Sequence, residues 1–233
     1  MKVHAVILAA GLSVRFESDC SKVLARLKDK PIILYLLETF IKSEIFETIT
    51  LLVSNKDKTI VQDILNKNNN LGVVEVVEGG ETRHHSEEIA LDYLKHKEKI
   101  DQKDLISIHD AARPFVEKEL LVELIDTAKE YKSSAPALKS KIIFDKDSNS
   151  LAQNQDTYYL MQTPQTFLAQ DLFFSYSKAK EDGWVATDTV ECISKYTDIK
   201  AKIIEGTDLN MKITFLKDLE MIERIIEEND INI

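Results

Sequence analysis

The first segment whose residues could bind a phosphate ester is residues 8–16, Leu-Ala-Ala-Gly-Leu-Ser-Val-Arg-Phe, followed by Lys22. Small residues let a backbone approach a ligand closely, so that successive N–H groups can cradle phosphate oxygens. Arg15 and Lys22 add two cations. The glycine spacing matches neither a dinucleotide fingerprint nor a P-loop. The segment indicates a grip for a triphosphate, and a tight turn carrying two surface cations is the alternative.

A second segment, His109-Asp110-Ala111-Ala112-Arg113-Pro114, combines a carboxylate with a cation three residues later. At the end of a buried strand, Asp110 can hold Mg²⁺ or a substrate hydroxyl beside a phosphate-binding Arg113. A structural ion pair between the two side chains is the alternative.

A third segment, residues 79–86, reads Gly-Gly-Glu-Thr-Arg-His-His-Ser. Its paired glycines indicate a backbone pressed against a flat ligand, and Ser86 either caps the next helix or touches a base. Because His84 and His85 are adjacent, they cannot share a helix face, which disfavours a metal site. Further polar residues at predicted strand ends and loops are Thr163, Thr187 and Lys212.

The elements that must position these segments alternate between buried runs and stretches of helical period. We expect strands at 2–8, 48–53, 73–77, 105–109, 135–143, 158–162 and 201–204, and helices at 32–43, 58–66, 87–97, 118–131, 171–180 and 215–227. Such alternation is typical of an α/β protein with a doubly wound, mostly parallel sheet. Ligands of such sheets bind beyond the carboxyl ends of the strands. An excursion at about 137–158 breaks the alternation and predicts a protruding β-arm or a flexible insertion.

Composition excludes several classes of protein. The 233 residues include 30 Lys and Arg against 40 Asp and Glu, a net charge of −10 that argues against nucleic-acid or anionic-membrane binding. Cys20 and Cys192 form no disulfide framework or zinc set, so we expect a cytoplasmic protein. The apolar stretch at the N-terminus is too short for a membrane span and lacks a cleavage region.

Seven segments, in order along nearly the whole chain, resemble the cytidylyltransferases that make 4-diphosphocytidyl-2-C-methyl-D-erythritol, and their ribitol 5-phosphate relatives. They are LAAGLSVRF with SK, DKPIILYLLETF, GGETRHHS, HDAARPFV, QTPQTF, ATD, and EGTDLNMKIT with DLEMIERII. The resemblance implies a Rossmann-like nucleotidyltransferase fold over 1–233 as a single domain, a homodimer formed through the arms, and a place in non-mevalonate isoprenoid precursor synthesis. It also implies CMP transfer from CTP to the phosphate of 2-C-methyl-D-erythritol 4-phosphate, with Mg²⁺ on the triphosphate.

The same resemblance implies roles for individual residues. CTP would be bound by Ala9, Ala10, Gly11, Gly80, Glu81, Arg83 and Ser86. The catalytic cations would be Arg15, Lys22 and Lys212. The acceptor would be contacted by Asp110, Arg113, Ser140, Thr163 and Thr187, and Asp110 would be the metal ligand.

Several positions depart from the family pattern. Ser21 stands where Pro usually precedes the catalytic lysine, and Leu209 stands where Asp is usual. In the arm, Gln155 replaces an arginine that binds the acceptor phosphate, and Lys139 or Lys141 could supply the missing cation. Two alternatives therefore stay open: a pentitol phosphate such as ribitol 5-phosphate as acceptor, and a non-catalytic CTP-binding homodimer.

Overall fold

The computed structural model describes residues 1–11, 16, 21–98, 100–139, 144–145, 150–151 and 158–228. In chain order its strands are β1 (Val3–Ala9), β2 (Arg26–Leu27), β3 (Lys30–Pro31), β4 (Thr48–Val53), β5 (Val74–Glu78), β6 (Leu105–Asp110), β7 (Ser133–Lys139), β8 (Phe144–Asp145), β9 (Ser150–Leu151), β10 (Tyr159–Met161), β11 (Gln165–Leu168) and β12 (Ile203–Glu205). Eight of them form one sheet in the order β10-β7-β11-β6-β1-β4-β5, with β12 paired to β7.

The helices are α1 (Ile32–Ser43), α2 (Asn55–Asn66), α3 (Arg83–Tyr93), α4 (Lys118–Tyr131), α5 (Ala169–Glu181), α6 (Thr189–Tyr196) and α7 (Leu216–Glu228). Short 3₁₀ turns lie at Lys22–Leu24, Asn69–Leu71 and Asp208–Asn210, and a π-helical turn at Leu94–Glu98 extends α3. Among the described helices, none is long and apolar enough to cross a membrane.

The parallel half of the sheet sets the position of the site. β1 pairs in parallel with both β4 and β6. The chain first adds β4 and β5 on one side of β1 and then returns to add β6 on the other side. This switch point opens a crevice between the carboxyl ends of β1 and β6. In the register of the two strands, Leu8 lies opposite Asp110.

Helices cover both faces of the sheet, as the alternation predicts. On one face α1, α2 and α4 pack through residues such as Leu37, Val61 and Leu124, and on the other α3, α5 and α6 pack through Leu91, Leu172 and Ile193. With both faces covered, β1, β4 and β6 become continuous buried runs, which is why they are readable in the sequence.

The sequence pattern does not predict the two-residue strands β2 and β3, the strand β11 or the helix α6. β11 is fully buried and antiparallel to β6 and β7, but Pro164 before it and the polar residues within it indicate a loop. The α6 helix was interpreted as part of a loop, although Asp188 caps it by accepting from the Val190 N–H at 2.8 Å. The predicted start of α3 was wrong by four residues, because the N-cap is Thr82.

The predicted start of α7 at 215 is close to the observed one, since Asp218 accepts from the backbone N–H groups of Thr214 and Phe215 at 2.8 Å. Within the predicted excursion, β8 and β9 form a separate two-stranded antiparallel sheet. Ser140, Lys141 and Gln155 lie outside the described residues.

Candidate active site

A cleft lies over the carboxyl ends of β1 and β6. It is lined by 14 residues, which include most of the sequence-predicted set: Leu8, Ala9, Ala10, Gly11, Lys22, Val23, Gly80, Glu81, Thr82, Arg83, Ser86, Asp110, Ala112 and Lys212. The structure therefore brings the predicted nucleotide loops and two of the three predicted cations into one place. The third cation, Arg15, lies outside the described residues.

The loop between β5 and α3 is held by its own side chains. The Ser86 hydroxyl accepts from the Gly80 N–H at 3.0 Å and donates to the Thr82 carbonyl at 2.9 Å. The helix cap is the Thr82 hydroxyl, which accepts from the His85 N–H at 3.0 Å. Ser86 therefore stabilises this loop. Of the two alternatives for Ser86, the one in which it caps the helix is wrong.

Gly79 lies where the two nucleotide loops touch. A methyl group on its Cα would overlap the Cβ of Ala10 and would also crowd the Ser86 hydroxyl. Only glycine lets the two backbones approach this closely. Gly79 thus lets one loop pack against the other, whereas a methyl group on Gly80 would overlap the side chain of His85 in its own segment.

Asp110, at the end of β6, is the electrostatic centre of the cleft. Its Oδ2 accepts from Lys212 Nζ at 2.6 Å, and its Oδ1 accepts from Arg83 Nε at 3.2 Å. Burial acts to raise the pKa of this carboxyl, but the cations of Arg83, Lys212 and Arg113 outweigh it and hold the pKa well below its usual range. Asp110 is therefore a carboxylate at any pH at which the protein works.

Arg113 does not form the ion pair with Asp110 that was the alternative interpretation of the hexapeptide. Its guanidinium donates to the Asn210 carbonyl at 2.7 Å and to the Met161 carbonyl at 3.3 Å, and it does not line the cleft. Burial lowers its pKa, although Asp110 opposes the shift. In this structure Arg113 fastens the 208–210 turn to β10.

Thr163 lies beneath the cleft, 3% exposed, and braces the end of β6. Its hydroxyl oxygen accepts from the Asp110 N–H at 3.0 Å and lies 3.1 Å from His109 Nδ1. Nε2 of His109 lies 2.9 Å from the Arg113 carbonyl, which only accepts, so Nε2 carries the proton and Nδ1 accepts from Thr163. Burial lowers the pKa of His109 to about 4, so the imidazole is neutral.

Thr187 is exposed and lies outside the lining of the cleft. Its hydroxyl donates to Glu191 at 2.8 Å. Two nearby residues contact the surroundings of the cleft more directly. Gln165 Nε2 donates to Asp188 at 2.8 Å, and the Thr189 hydroxyl oxygen accepts from Arg83 Nη2 at 3.2 Å. Gln165 and Thr189 were missed because the strand and the helix that carry them were missed.

Glu87 is a further residue that the sequence interpretation passed over. It is fully buried and its carboxylate lies 2.7 Å from Arg83 Nη1. The i, i+4 spacing of Arg83 and Glu87 is a readable signal for an ion pair along a helix.

The described residues contain no group of three or more His, Cys, Asp and Glu side chains placed to hold a metal ion. His84 is buried and stacks on Tyr176 with ring centroids 4.8 Å apart, so it belongs to the core. Of the carboxylates in the predicted motifs, Glu81 and Asp110 line the cleft.

The geometry agrees with comparisons to known proteins. The family model described as 2-C-methyl-D-erythritol 4-phosphate cytidylyltransferase matches residues 3–228. A curated protein of that name from Thermosipho africanus is 34% identical over 225 residues, 93% of this chain and 94% of the relative. A second, from Caldanaerobacter subterraneus subsp. tengcongensis, is 31% identical and covers 98% of this chain and 100% of the relative.

Among solved structures, 4-diphosphocytidyl-2C-methyl-D-erythritol synthase from Anaerococcus prevotii superimposes with a TM-score of 0.81 at 26% identity. The match covers 97% of this chain and 98% of that one. It confirms the predicted fold class.

Proposed function

This chain belongs to the 2-C-methyl-D-erythritol 4-phosphate cytidylyltransferase family, and from that premise we propose that it transfers CMP from CTP to the phosphate of 2-C-methyl-D-erythritol 4-phosphate, releasing pyrophosphate. The observation that carries the proposal is the cleft at the switch point, where the loops 9–11 and 79–86 meet Lys22, Asp110 and Lys212. The reaction is a step of non-mevalonate isoprenoid precursor synthesis.

The reaction requires neutralisation of the substrates' charges and orientation of the attacking phosphate oxygen, and it requires no nucleophile on the protein. A phosphate oxygen of the acceptor attacks the α-phosphorus of CTP in line, a P–O bond forms, and the bond to pyrophosphate breaks. Because both reactants are anions, cations must neutralise them before they approach. Lys22 and Lys212 act as point charges where negative charge develops, and Arg15 bridges phosphates with its planar guanidinium.

The remaining residues shape the two halves of the site. Ala9, Ala10, Gly11, Gly80, Glu81 and Ser86 are proposed to hold the cytosine and ribose. Arg113, Ser140, Thr163 and Thr187 remain proposed acceptor-side positions; Ser140 lies outside the described residues, and Arg113, Thr163 and Thr187 lie around the cleft without lining it.

Mg²⁺ is the proposed metal. Two carboxylates, Glu81 and Asp110, line the cleft, and so few protein ligands suit an ion that takes most of its ligands from the triphosphate and from water, as Mg²⁺ does in nucleotide sites. Asp110 would be its protein ligand, since each oxygen of that carboxylate retains a lone pair beyond its bond to Arg83 or Lys212. When bound, the ion supplies neutralisation of the triphosphate charge. Chelation by EDTA should abolish turnover, and added Mg²⁺ should restore it.

The family departure at Leu209 supports activity over a non-catalytic role. Leu209 lines a separate groove beside Tyr35 and Phe115, and Lys212 does not line that groove. A leucine there removes no charge from the cleft. The identity of the acceptor is the finer part of the proposal, and Gln155 and Lys141 of the arm lie outside the described residues.

We also propose a homodimer of single-domain subunits in the cytoplasm. The main sheet includes both β1 and β12, the first and last strands, which supports a single domain. Its edge strand β10 carries Tyr159 and Leu160, which are 47% and 61% exposed and which a second copy of the chain would cover. Cys192 is buried and burial raises its pKa to about 12, so a reduced, unreactive thiol suits a cytoplasmic protein. Light scattering of the purified protein should give twice the chain mass.

Pyrophosphate release with CTP and Mg²⁺, measured in parallel with 2-C-methyl-D-erythritol 4-phosphate and with ribitol 5-phosphate, tests the proposal. We expect kcat/KM for the first acceptor to exceed that for the second by at least ~10-fold, because the less suitable acceptor would lose some of its contacts with the site in the transition state. Turnover of ribitol 5-phosphate alone would transfer the proposal to pentitol phosphates. CTP binding with no turnover of either acceptor would favour the non-catalytic alternative.

A further inference from the structure

Glu87 is a buried carboxylate one helical turn beyond Arg83, and it does not itself line the cleft. Its side chain is 0% exposed. Its Oε1 accepts from Arg83 Nη1 at 2.7 Å and from the Thr189 hydroxyl at 2.6 Å. Removing a carboxylate from water costs several kcal/mol unless charged partners and hydrogen bonds offset the loss. These charged and hydrogen-bonded partners offset the cost of burying Glu87, and they join α3 to the first residue of α6.

The contact fixes the guanidinium of Arg83 on both sides. Nη1 and Nη2 lie 3.3 Å and 3.2 Å from the Thr189 hydroxyl oxygen, in addition to the bond from Nη1 to Glu87. On the other side, Nε donates to Asp110 at 3.2 Å. A planar guanidinium held at both ends has its orientation defined, because its donors are rigidly spaced.

The order of the contacts leads from the core to the reacting centre. Glu87 bonds Arg83, Arg83 bonds Asp110, and Asp110 bonds Lys212 at 2.6 Å. Without the carboxylate of Glu87, Asp110 would be the carboxylate still hydrogen-bonded to Arg83, and Arg83 would compete with Lys212 for it. The fixed ion pair between Arg83 and Glu87 leaves one oxygen of Asp110 to Lys212.

We propose that Glu87, braced by Thr189, is a positioning residue for the transfer reaction: it holds Arg83 so that Asp110 in turn holds Lys212 at the reacting phosphates. The inference deepens the proposed function and rests on it. Since Glu87 touches neither substrate, its removal should lower kcat more than it changes the KM for CTP.

Glu87→Gln is the direct test, because glutamine keeps the size and the carbonyl acceptor but removes the charge. We expect kcat to fall about tenfold with the KM for CTP changed less than threefold, a pattern that marks transition-state alignment. The control is Asp104→Asn. Asp104 is also a buried carboxylate, but it directly precedes β6, at the amino ends of the strands and away from the cleft. There it accepts from the Lys2 N–H at 2.7 Å. This control should lose stability while kcat stays within twofold.

A double-mutant cycle separates positioning from a general packing defect. In an Arg83→Met background, Glu87→Gln should cause no further loss of kcat, because the residue through which Glu87 acts is absent. The same step should raise the melting temperature there, since it removes an unpaired buried charge. A further tenfold loss of kcat in that background would overturn the proposal.

A matched pair at Thr189 tests the brace. Thr189→Ser keeps the hydroxyl and should keep kcat within twofold, whereas Thr189→Val keeps the shape, loses the hydroxyl and should lower kcat about threefold. Equal kcat values for the two variants would show that the hydroxyl does not position Arg83.

A readout that does not need turnover distinguishes failure of this inference from failure of the proposed function. Hydrogen exchange at the Nε–H of Arg83, followed by ¹⁵N NMR and assigned with Arg83→Met, should be slow in the wild type and at least tenfold faster in Glu87→Gln. Unchanged exchange would overturn the inference whatever the acceptor proves to be. Slow exchange in a protein that lacks turnover would instead count against the proposed function alone.

Discussion

The ammonium of Lys212 lies 2.6 Å from the carboxylate of Asp110, although 102 residues separate them in the chain. Asp110 ends β6 at the switch point, and Lys212 follows the 208–210 turn, which Arg113 and Asn210 fasten to the neighbouring strands. The pair joins the end of β6 to the segment that follows the 208–210 turn. It also holds a cation at the cleft that is 38% exposed and therefore accessible to a ligand.

Lys212→Ala should lower kcat by at least ~10²-fold, about 2.7 kcal/mol of transition-state stabilisation, because it removes a charge that acts on the reacting phosphates. Steady-state pyrophosphate release gives the number. Lys202→Ala removes another lysine from the same C-terminal region but outside the cleft, and it should leave kcat within twofold. A loss below fivefold in Lys212→Ala would contradict its catalytic role.

Lys22→Ala should produce a loss of the same order, at least ~10²-fold in turnover, with a smaller effect on CTP affinity. Lys22 begins the 3₁₀ turn at the mouth of the cleft, where its charge faces the loops 9–11 and 79–86. Lys56→Ala, an exposed lysine on α2, is the matched control and should behave as the wild type. Arg15→Ala is expected to resemble Lys22→Ala, and losses below fivefold in both variants would contradict the assigned roles.

Gly79→Ala should raise the KM for CTP and lower the melting temperature, because the new methyl group would overlap the Cβ of Ala10 and force the two nucleotide loops apart. Overpacking of this kind costs about 1–3 kcal/mol. Gly72→Ala is the matched control: its Cα has open space, its φ is −65°, and we expect neutral or slightly increased stability. Equal KM and melting temperature for both variants would show that the loops do not need this close approach.

Stability should fall as the pH decreases from about 6.5 to about 4, because of His109. Its pKa in the folded protein is about 4 and its ordinary value is 6.5, so in this window the unfolded chain binds a proton that the native state excludes. The stabilisation is complete above pH 6.5 and is lost toward pH 4, amounting to about 3 kcal/mol. Burial also lowers the pKa of His4 and His84, so the difference between variants is the informative quantity.

Urea unfolding of wild type and His109→Gln at pH 4.5 and 7.5 measures that difference. We expect the stability advantage of the wild type to shrink by about 2 kcal/mol at the lower pH. His96→Gln, which replaces an exposed histidine, is the control for the loss of an imidazole that is not buried. An advantage of the wild type over His109→Gln that does not depend on pH would contradict the account of a neutral, buried imidazole.

Much of the fold was predictable because the parallel core has a simple sequence pattern. β1, β4 and β6 are buried on both faces and so appear as short runs rich in aliphatic residues, and the amphipathic helices between them imply the crossovers. The antiparallel strand β11 was not predictable this way, because Gln165 and Thr166 are buried polar residues satisfied by tertiary hydrogen bonds. A pattern of hydrophobicity cannot report a polar side chain that finds its partner across the sheet.

The site divides in the same manner. Residues that follow strand ends, such as Ala10, Lys22 and Asp110, were identified because chain position alone puts them at the edge of the sheet. Arg113 and Thr163 carry the right chemistry but serve the scaffold in this structure, and spacing could not distinguish the two uses. Glu87 was overlooked because a carboxylate on a helix is ordinarily exposed, and its burial follows from the packing of α3 against α5 and from its hydrogen bond to Thr189 at the start of α6.

The most direct test of the central claim is ³¹P NMR of the protein with CTP, Mg²⁺ and 2-C-methyl-D-erythritol 4-phosphate. The account predicts loss of the acceptor monoester signal and the triphosphate signals, with appearance of two coupled diphosphate signals and one equivalent of pyrophosphate. Formation of CMP with an unchanged acceptor signal would show hydrolysis, and formation of CDP with inorganic phosphate would show attack at the γ-phosphorus. Either result would contradict transfer of CMP to the acceptor phosphate.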